Sequence, residues 1–358
     1  MCQAPSAAAP PASDFAGRML QVMNNSALSL MISLGHRTRL FDVMAKLPPS
    51  TSHEIARASG LNERYVREWL GAMVTGRIVH YDAAGQRYHL PAEHVAFLTR
   101  GAEVNFGVSA QWIAVLGMVE DKIVEAFTHG KGVPYSAYTR FHEVMAEESG
   151  QTVVGALDQH ILPMVPGLIE RLDKGIDVLD VGCGSGWAML HLAKRFPNSR
   201  FSGYDLSPEA IGAANARTRE LGLSNARFDV RDLAAWNEPR SRDLVTAFDV
   251  IHDQAKPAAV LKNIAAAVKP DGLFLMQDIS GSGHVHEDLE HPMGTLLYTV
   301  SCMHCMSVSL ANGGPGLGAM WGKKKALEML AEAGFGAVQV ETLPHDVLNF
   351  YYLVQPPR

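Results

Sequence analysis

The sequence predicts an α/β chain in which a doubly wound, mostly parallel seven-stranded sheet follows a smaller, mainly helical domain. Three observations predict it. From Asp173 onward, short apolar runs alternate with helical patterns. A glycine-rich turn, Gly182-Cys183-Gly184-Ser185-Gly186, joins the first of those runs to the first helical pattern. The first hundred residues carry a helix, a turn, a second helix and a hairpin signal.

Length and composition set the frame. A chain of 358 residues suggests about two domains, each with its own core. A net charge of -6 argues against wholesale wrapping of nucleic acid. Cys2, Cys183, Cys302 and Cys305 are too few and too unevenly placed for a disulfide framework, which fits a reducing cytoplasm. Residues 1–13 are rich in Ala and Pro and read as a disordered tail rather than a signal peptide. No apolar run reaches the ~20 residues of a membrane span, so no membrane partner is expected. There is no internal repeat.

Residues 14–100 form the first expected domain. An apolar helix from Met19 to Leu34 presents Met19, Leu20, Met23, Leu30, Met31 and Leu34. Thr51-x-x-Glu54 is a capping box that opens a short helix ended by Gly60. A second helix begins near Asn62 and places Val66, Trp69, Leu70, Met73 and Val74 on one face. Ile78–Tyr81 and Arg87–Leu90 flank a hairpin turn around Gly85. Helix, turn, helix and hairpin make a winged helix. Such a domain can read DNA or join subunits. Arg64 and Arg67 would serve the first role, but Glu63 and Glu68 on the same helix offset their charge, and a DNA-reading helix needs a positive excess. The Met- and Leu-rich helix favours the second role, a homodimer.

Residues 101–172 read as a helical connection and lid. Gly130 to Pro134 breaks it, and Tyr135, Tyr138 and Phe141 follow. These aromatics suit either the lining of a ligand lid or an ordinary core. Residues 173–358 form the sheet domain. Its strand candidates are Val178–Val181, Phe201–Tyr204, Ala226–Val230, Leu244–Val250, Leu273–Gln277, Ala337–Glu341 and Phe350–Val354, with helices at Pro208–Leu221, Pro257–Val268 and Lys323–Ala333. Ligands of such sheets bind beyond the carboxyl ends of the strands, where the strand order reverses. The glycine turn, Asp205, Asp232 and Phe248–Asp253 all fall at such ends.

The glycine turn narrows the ligand. Alternating glycines let a ligand lie against bare backbone. A dinucleotide fingerprint needs a third glycine where Trp187 stands, and no Gly-Lys-Ser/Thr follows for a P-loop. The pattern is Asp180-x-Gly182-x-Gly184-x-Gly186, with an acid, Asp205, about 20 residues past the turn to grip ribose hydroxyls.

This stretch resembles the first motif of class I S-adenosylmethionine-dependent methyltransferases, whose sheet is Rossmann-like and seven-stranded. The resemblance implies S-adenosyl-L-methionine as cofactor. It implies Asp180 and the backbone of Gly182, Gly184 and Gly186 at the methionine end, and Asp205 on the ribose. It implies Leu206 on the adenine face, Asp232 and the backbone of Leu233 at the adenine edge, and Phe248 near the transferable methyl. The domain order is similar to two groups. One comprises small-molecule O-methyltransferases that dimerise through the N-terminal domain. The other is a bacterial group often labelled transcriptional regulators, and the likeness to it includes Met145–Ser149 and Met303–Leu310.

For the chemistry, His252 in Asp249-Val250-Ile251-His252-Asp253-Gln254 is the candidate general base. The His-Asp pair resembles that of the dimeric O-methyltransferases, in which this His is the base. Their usual Trp after the pair is Gln254 here. A structural, hydrogen-bonded role for His252 stays open. His284, His286, His291, Cys302, His304 and Cys305 could ligate a metal. A lone Cys-x-x-Cys lacks the partner pair of a closed zinc site, so no metal is expected. The segment between the fifth and sixth strands reads instead as acceptor-pocket lining, with His304 and Trp321 joining Tyr138 and Phe141 as substrate-binding candidates. An Asn-Pro-Pro-aromatic run after the fourth strand is absent, as is a twin-glutamate loop. The expected function is methyl transfer to an O, S or N nucleophile of a small molecule. The alternative is a cofactor-sensing, winged-helix DNA-binding regulator.

Overall fold

The computed structural model describes residues 12–102, 104–344 and 346–356. Residues 1–11 of the expected tail lie outside them, as does Cys2. The chain divides into two compact units, Met1–Ala114 and Val115–Arg358.

The first unit opens with a 26-residue helix, Ala12–Arg37. The capping box forms as its chemistry requires. Glu54 N–H donates to Thr51 Oγ1, and Thr51 N–H donates to the Glu54 carboxylate at 2.7 Å. The helix Ser52–Ser59 ends on Gly60 in the left-handed conformation, and Glu63–Thr75 follows, capped by Asn62. The wing pairs β1 (His80–Asp82) with β2 (Arg87–His89), and the Asp82 carboxylate accepts the N–H groups of Ala84 and Gly85 in the turn. Phe41, Ile55, Val66, Trp69, Leu70 and Met73 fill the core, with Trp69 edge-on to Phe41. Much of the first helix's apolar face has no cover: Leu20 and Met23 are 68% and 66% exposed, and Phe15, Met19, Leu30 and Leu34 are exposed too.

The second unit contains a seven-stranded sheet built from β3 (Asp177–Val181), β4 (Arg200–Asp205), β5 (Ala226–Val230), β6 (Arg242–Phe248), β7 (Val268–Ile279), β8 (Val338–Leu343) and β9 (Asp346–Val354). The order is β5-β4-β3-β6-β7-β9-β8. β3 to β7 run parallel, and β9 is antiparallel to both its neighbours. Successive residues feed two cores. Leu179, Val245, Phe274 and Tyr352 pack on one face, and Val178, Leu244, Leu275 and Tyr351 on the other. Burial of both faces is why these strands read as unbroken apolar runs. The strand order reverses between β3 and β6, which opens the crevice where a ligand is expected.

Several strand ends differ from expectation: β9 starts at Asp346 rather than Phe350, and β8 runs on to Leu343 rather than Glu341. β6 stops at Phe248 because Asp249 takes a left-handed φ of 59°. β7 starts at Val268, where Val268 already pairs with Arg242 ahead of a bulge.

Among the described residues, Gly294–Ala311 is the one unbent helical stretch long and apolar enough to cross a membrane. It includes a π-turn at Ser301–Cys305 and buries the polar His304, Ser307 and Ser309.

Candidate active site

The glycine turn leaves β3 and is pinned by its neighbour strand. Gly182 N–H and Cys183 N–H both donate to the Tyr204 carbonyl, at 2.8 and 3.1 Å. Gly182, Gly184 and Gly186 have φ values of 69°, 51° and 74°, a region that costs side-chain-bearing residues about 1–2 kcal/mol. The three glycines have different neighbours. A Cβ on Gly182 would lie 2.4 Å from Val250, and one on Gly186 would lie 2.5 Å from the Phe228 ring. A Cβ on Gly184 would meet nothing within 4 Å. The outer glycines are therefore fixed by packing, and the central one faces open space.

Asp205 ends β4 and is tied to the turn. Gly184 N–H donates to its Oδ2 at 2.9 Å, and Ser207 N–H donates to Oδ1 at 2.8 Å. Both oxygens are held in place and keep lone pairs for a bidentate donor such as a diol. Asp180 is buried, and Thr246 Oγ1–H donates to it at 2.6 Å. Burial, with the nearby Asp205 charge, pushes its carboxyl up to about 7 against the opposing hydrogen bond. Leu206 is 60% exposed beside Asp205. Asp232 is exposed just past β5 and accepts Ala234 N–H. The Leu233 side chain is buried in the core, so its backbone is what can face a ligand. Phe248 is half-buried at the end of β6.

The other side of the crevice is built around His252, on a short turn after β6, 2% exposed. Its Nδ1–H donates to Asp278 Oδ1 at 2.7 Å, and Asp249 Oδ1 stands 3.7 Å away. Asp278, at the end of β7, is fully buried, and its Oδ1 also accepts Trp321 Nε1–H at 3.0 Å and Ile279 N–H at 2.9 Å. Burial pulls the imidazole pKa down. The Asp278 charge, the charge on Cys305, and hydrogen bonds to both outweigh it and hold His252 well above its ordinary value. Burial pushes Asp249 up to about 6 and Asp253 up to about 7, against the pull of His252. Gln254 donates its amide to Asp253 Oδ1 and to the Val250 carbonyl.

A ring cluster forms the third wall. His304 stacks on Phe141, with centroids 3.7 Å apart and planes at 10°, and meets Tyr138 and Tyr135 edge-on at 4.9 and 5.3 Å. Tyr138 Oη–H donates to the Met303 carbonyl at 2.5 Å, and Val133 N–H donates to Ser307 Oγ at 2.8 Å. Gly132 allows this closeness, since a Cβ there would lie 1.7 Å from the Ser307 carbonyl oxygen. The Tyr135 phenol is pushed well up by burial and then by the charges of Asp253 and Asp205.

The structure thus brings the glycine turn, Asp180, Asp205 and Leu206 to one end of the sheet, and His304, Tyr138 and Phe141 into one cluster. Trp321 is buried, with its indole nitrogen on Asp278. Of the six candidate metal ligands, His284 and His286 are exposed, and His291 Nε2 sits 3.0 Å from Ser280 Oγ. Among the described residues, the group whose ligand atoms do converge, within 4.8 Å, is Asp249, His252 and Asp278. There His252 Nδ1 is already taken by Asp278. Sequence reasoning missed Asp278 and the closeness of Cys305 to His252. The one signal for Asp278 was an acid interrupting an apolar strand.

Comparisons with known proteins follow the same division. A family model described as Rv2258c-like winged HTH domain matches residues 26–100, and a methyltransferase-domain model matches residues 172–334. (S)-coclaurine N-methyltransferase of Papaver somniferum is 28% identical over 125 residues, which is 34% of this chain and 36% of that protein. A ubiquinone biosynthesis O-methyltransferase of Colwellia psychrerythraea is 29% identical over 128 residues, 35% of this chain and 51% of that protein. The matches span about a third to a half of these curated relatives. Solved structures match over nearly the whole chain. Human N-acetylserotonin methyltransferase in complex with SAM is 17% identical with a TM-score of 0.68, covering 97% of this chain and 100% of that one. Mitomycin 7-O-methyltransferase MmcR is 15% identical with a TM-score of 0.69, covering 96% and 98%. At such identities the likeness is one of fold.

Proposed function

We propose, from the premise that this chain joins a winged helix-turn-helix domain to a class I S-adenosylmethionine-dependent methyltransferase domain, that it transfers a methyl group to an oxygen, sulfur or nitrogen nucleophile of a small molecule. The observation behind this reading is the cradle at the strand reversal. Gly184 opens onto free space beside a carboxylate, Asp205, whose two oxygens are fixed by backbone N–H groups.

The residues fit the cofactor. Asp205 takes both ribose hydroxyls, a charge-assisted pair of hydrogen bonds. Gly182, Gly184 and Gly186 admit the methionine end against backbone, and the raised Asp180 carboxyl meets its ammonium group. Leu206 covers the adenine face, and Asp232 with the Leu233 backbone reads its edge. Phe248 borders the methyl. When bound, S-adenosylmethionine supplies an electrophilic methyl on a sulfonium sulfur. The chain's task is then to align a nucleophile in line with that methyl, exclude water, and take up a proton. Tyr138, Phe141 and His304 wall the acceptor side. His252 accepts the proton of a hydroxyl or thiol acceptor, and Asp278 orients its ring, itself held by Trp321. A base whose pKa lies above neutrality works best as pH rises.

The exposed apolar face of the first helix supports a homodimer through the N-terminal unit. The winged helix gives little support to DNA reading: Arg64 pairs with Glu68, and Arg67 pairs with Glu63 at 3.4 Å. Cysteine usage suits a cytoplasmic setting. The test is a screen of phenols, thiols and amines with isotopically labelled methyl donor. Labelled product from any of these small acceptors upholds the reading. Sequence-selective, nanomolar DNA binding with no transfer to any acceptor would replace it with a cofactor-sensing regulator.

A further inference from the structure

His304 walls the acceptor side, yet its ring has no hydrogen-bond partner among the described residues. It is 1% exposed, and both of its ring nitrogens are buried without a hydrogen-bond partner. Buried polar groups are almost always paired, because leaving one bare forfeits its hydration with no return. Two bare nitrogens on one ring are a large exception. The walls around it are aromatic: Phe141 face to face, Tyr135 and Tyr138 edge-on. None of them offers the ring a hydrogen bond. The Tyr138 hydroxyl is turned away onto the Met303 carbonyl.

Resting on the methyltransferase reading above, we propose that His304 selects the acceptor. Its imidazole is kept free to hydrogen-bond an uncharged polar group, a hydroxyl or an amide, on a planar acceptor, at a position other than the atom that is methylated.

Two further features agree. Burial, then the charges of His252 and His142, pull the His304 pKa down to about 3, so the ring is neutral throughout the working range. A neutral imidazole offers one donor and one acceptor, and gives no charge to a carboxylate or an ammonium group. The carboxylates that bear on adjacent Tyr135, Asp253 and Asp205, repel an anion. The rings of Phe141, Tyr135 and Tyr138 around the imidazole suit a planar, aromatic acceptor. The segment Tyr135–Phe141 supplies all three covering rings.

The experiment uses the full chain and the substitution His304→Phe, which keeps the stacked ring and removes both nitrogens. Thermal unfolding without ligand is the first arm. If the nitrogens are unpaired, the Phe variant melts at the same temperature as wild type or a few degrees higher. A fall of several degrees would mean the nitrogens are satisfied internally, by a buried water for example, and would overturn the proposal. The second arm measures binding of dihydroxynaphthalene, naphthol and hydroxynaphthoate to cofactor-saturated protein, and their methylation. Wild type should prefer the diol over the single hydroxyl by at least about 10²-fold, as sites built around a buried hydrogen bond do, and should disfavour the carboxylate. His304→Phe should erase the preference for the diol while leaving cofactor affinity and the pH dependence of transfer unchanged. An unchanged preference overturns the proposal. If wild type neither binds nor methylates any probe, the methyltransferase reading is what comes into question, and the melting comparison alone decides whether His304 is unpaired.

Discussion

Asp278→Asn isolates the oriented base. The substitution keeps size and shape but removes the charge 2.7 Å from His252 Nδ1. A hydrogen bond to a charged partner is worth about 1.5–3 kcal/mol, against about 0.5–1.5 kcal/mol for a neutral one. Losing the charge should therefore lower the His252 pKa, since the Asp278 charge is the largest influence that raises it. The sign matters. In the wild type the imidazolium is favoured, so transfer to a hydroxyl acceptor should climb with pH through neutrality and level off above the raised pKa. In Asp278→Asn the same climb should end at lower pH, and the plateau should fall about 10–10²-fold because the ring is less basic and less firmly oriented. His252→Gln should remove the climb altogether and cost about 10²–10⁴-fold. The loss should be smaller for a thiol acceptor, which ionises more readily. The assays are a pH–rate profile on the best hydroxyl acceptor, and an imidazole NMR titration that needs no acceptor. Cofactor affinity should stay unchanged in both variants. A titration of Asp278→Asn that superimposes on wild type would refute the coupling. Full activity of His252→Gln at pH 7 would make His252 structural and leave catalysis to proximity.

The remaining predictions concern the cofactor, the subunits and pH. Asp205→Ala should weaken S-adenosylmethionine binding by about 10²–10⁴-fold by calorimetry, the loss of two charge-assisted hydrogen bonds, and a chain that binds NAD instead would contradict the cofactor assignment. Light scattering should find a dimer at micromolar concentration that Leu20→Glu with Met23→Glu dissociates; a monomeric wild type would end that idea. In the unliganded protein, Asp180, Asp249 and Asp253 hold protons up to about pH 7, 6 and 7 that the unfolded chain releases earlier. Their effect on stability therefore declines as pH rises from the ordinary carboxylate range through 6–7, and the raised His252 adds a loss in the same direction above its unfolded pKa. The melting temperature without ligand should drop between pH 5.5 and 8.5, and S-adenosylmethionine, with its positive charges, should restore more at the higher pH. A melting temperature that rises over that interval would show that these acids are ionised in the fold.

The sheet was legible because of how it is buried. With both faces covered, the central strands β3, β6 and β7 carry apolar runs, whereas the edge strands β5 and β8 are mixed and partly exposed, and the glycine turn marks where β3 ends. The capping box and Gly60 made the second and third helical boundaries of the N-terminal unit readable for a similar reason, since their chemistry is complete within a few residues. Strand ends were less legible. Nothing in Asp249-Val250-Ile251 announces that Asp249 adopts a left-handed φ, because that conformation is imposed by the turn that delivers His252. The start of β7 was hidden by Lys269-Pro270-Asp271, which reads as a loop although Val268 pairs ahead of it.

The site divides along the same line. Asp205 and the glycine turn come from adjacent strands with one short helix between them, so their spacing alone betrays them. His304 and the Tyr135–Phe141 segment are more than a hundred and sixty residues apart, as the bond from Tyr138 to Met303 reflects, and no local pattern joins them. Asp278 is the instructive intermediate. Phe248 of β6 pairs with Gln277 of β7, so the residue after each falls at the same height above the sheet. An acid there, at the end of a strand buried on both faces, cannot stand alone: an unpaired carboxylate in such surroundings costs several kcal/mol or gives up its charge. It calls for a cation or strong donor on the neighbouring connection at that height. His252, three residues past Asp249, meets that requirement and Trp321 adds a second donor. The acid on β7 could thus have been paired with the His after β6 from strand register and burial, once the two strands were taken as neighbours.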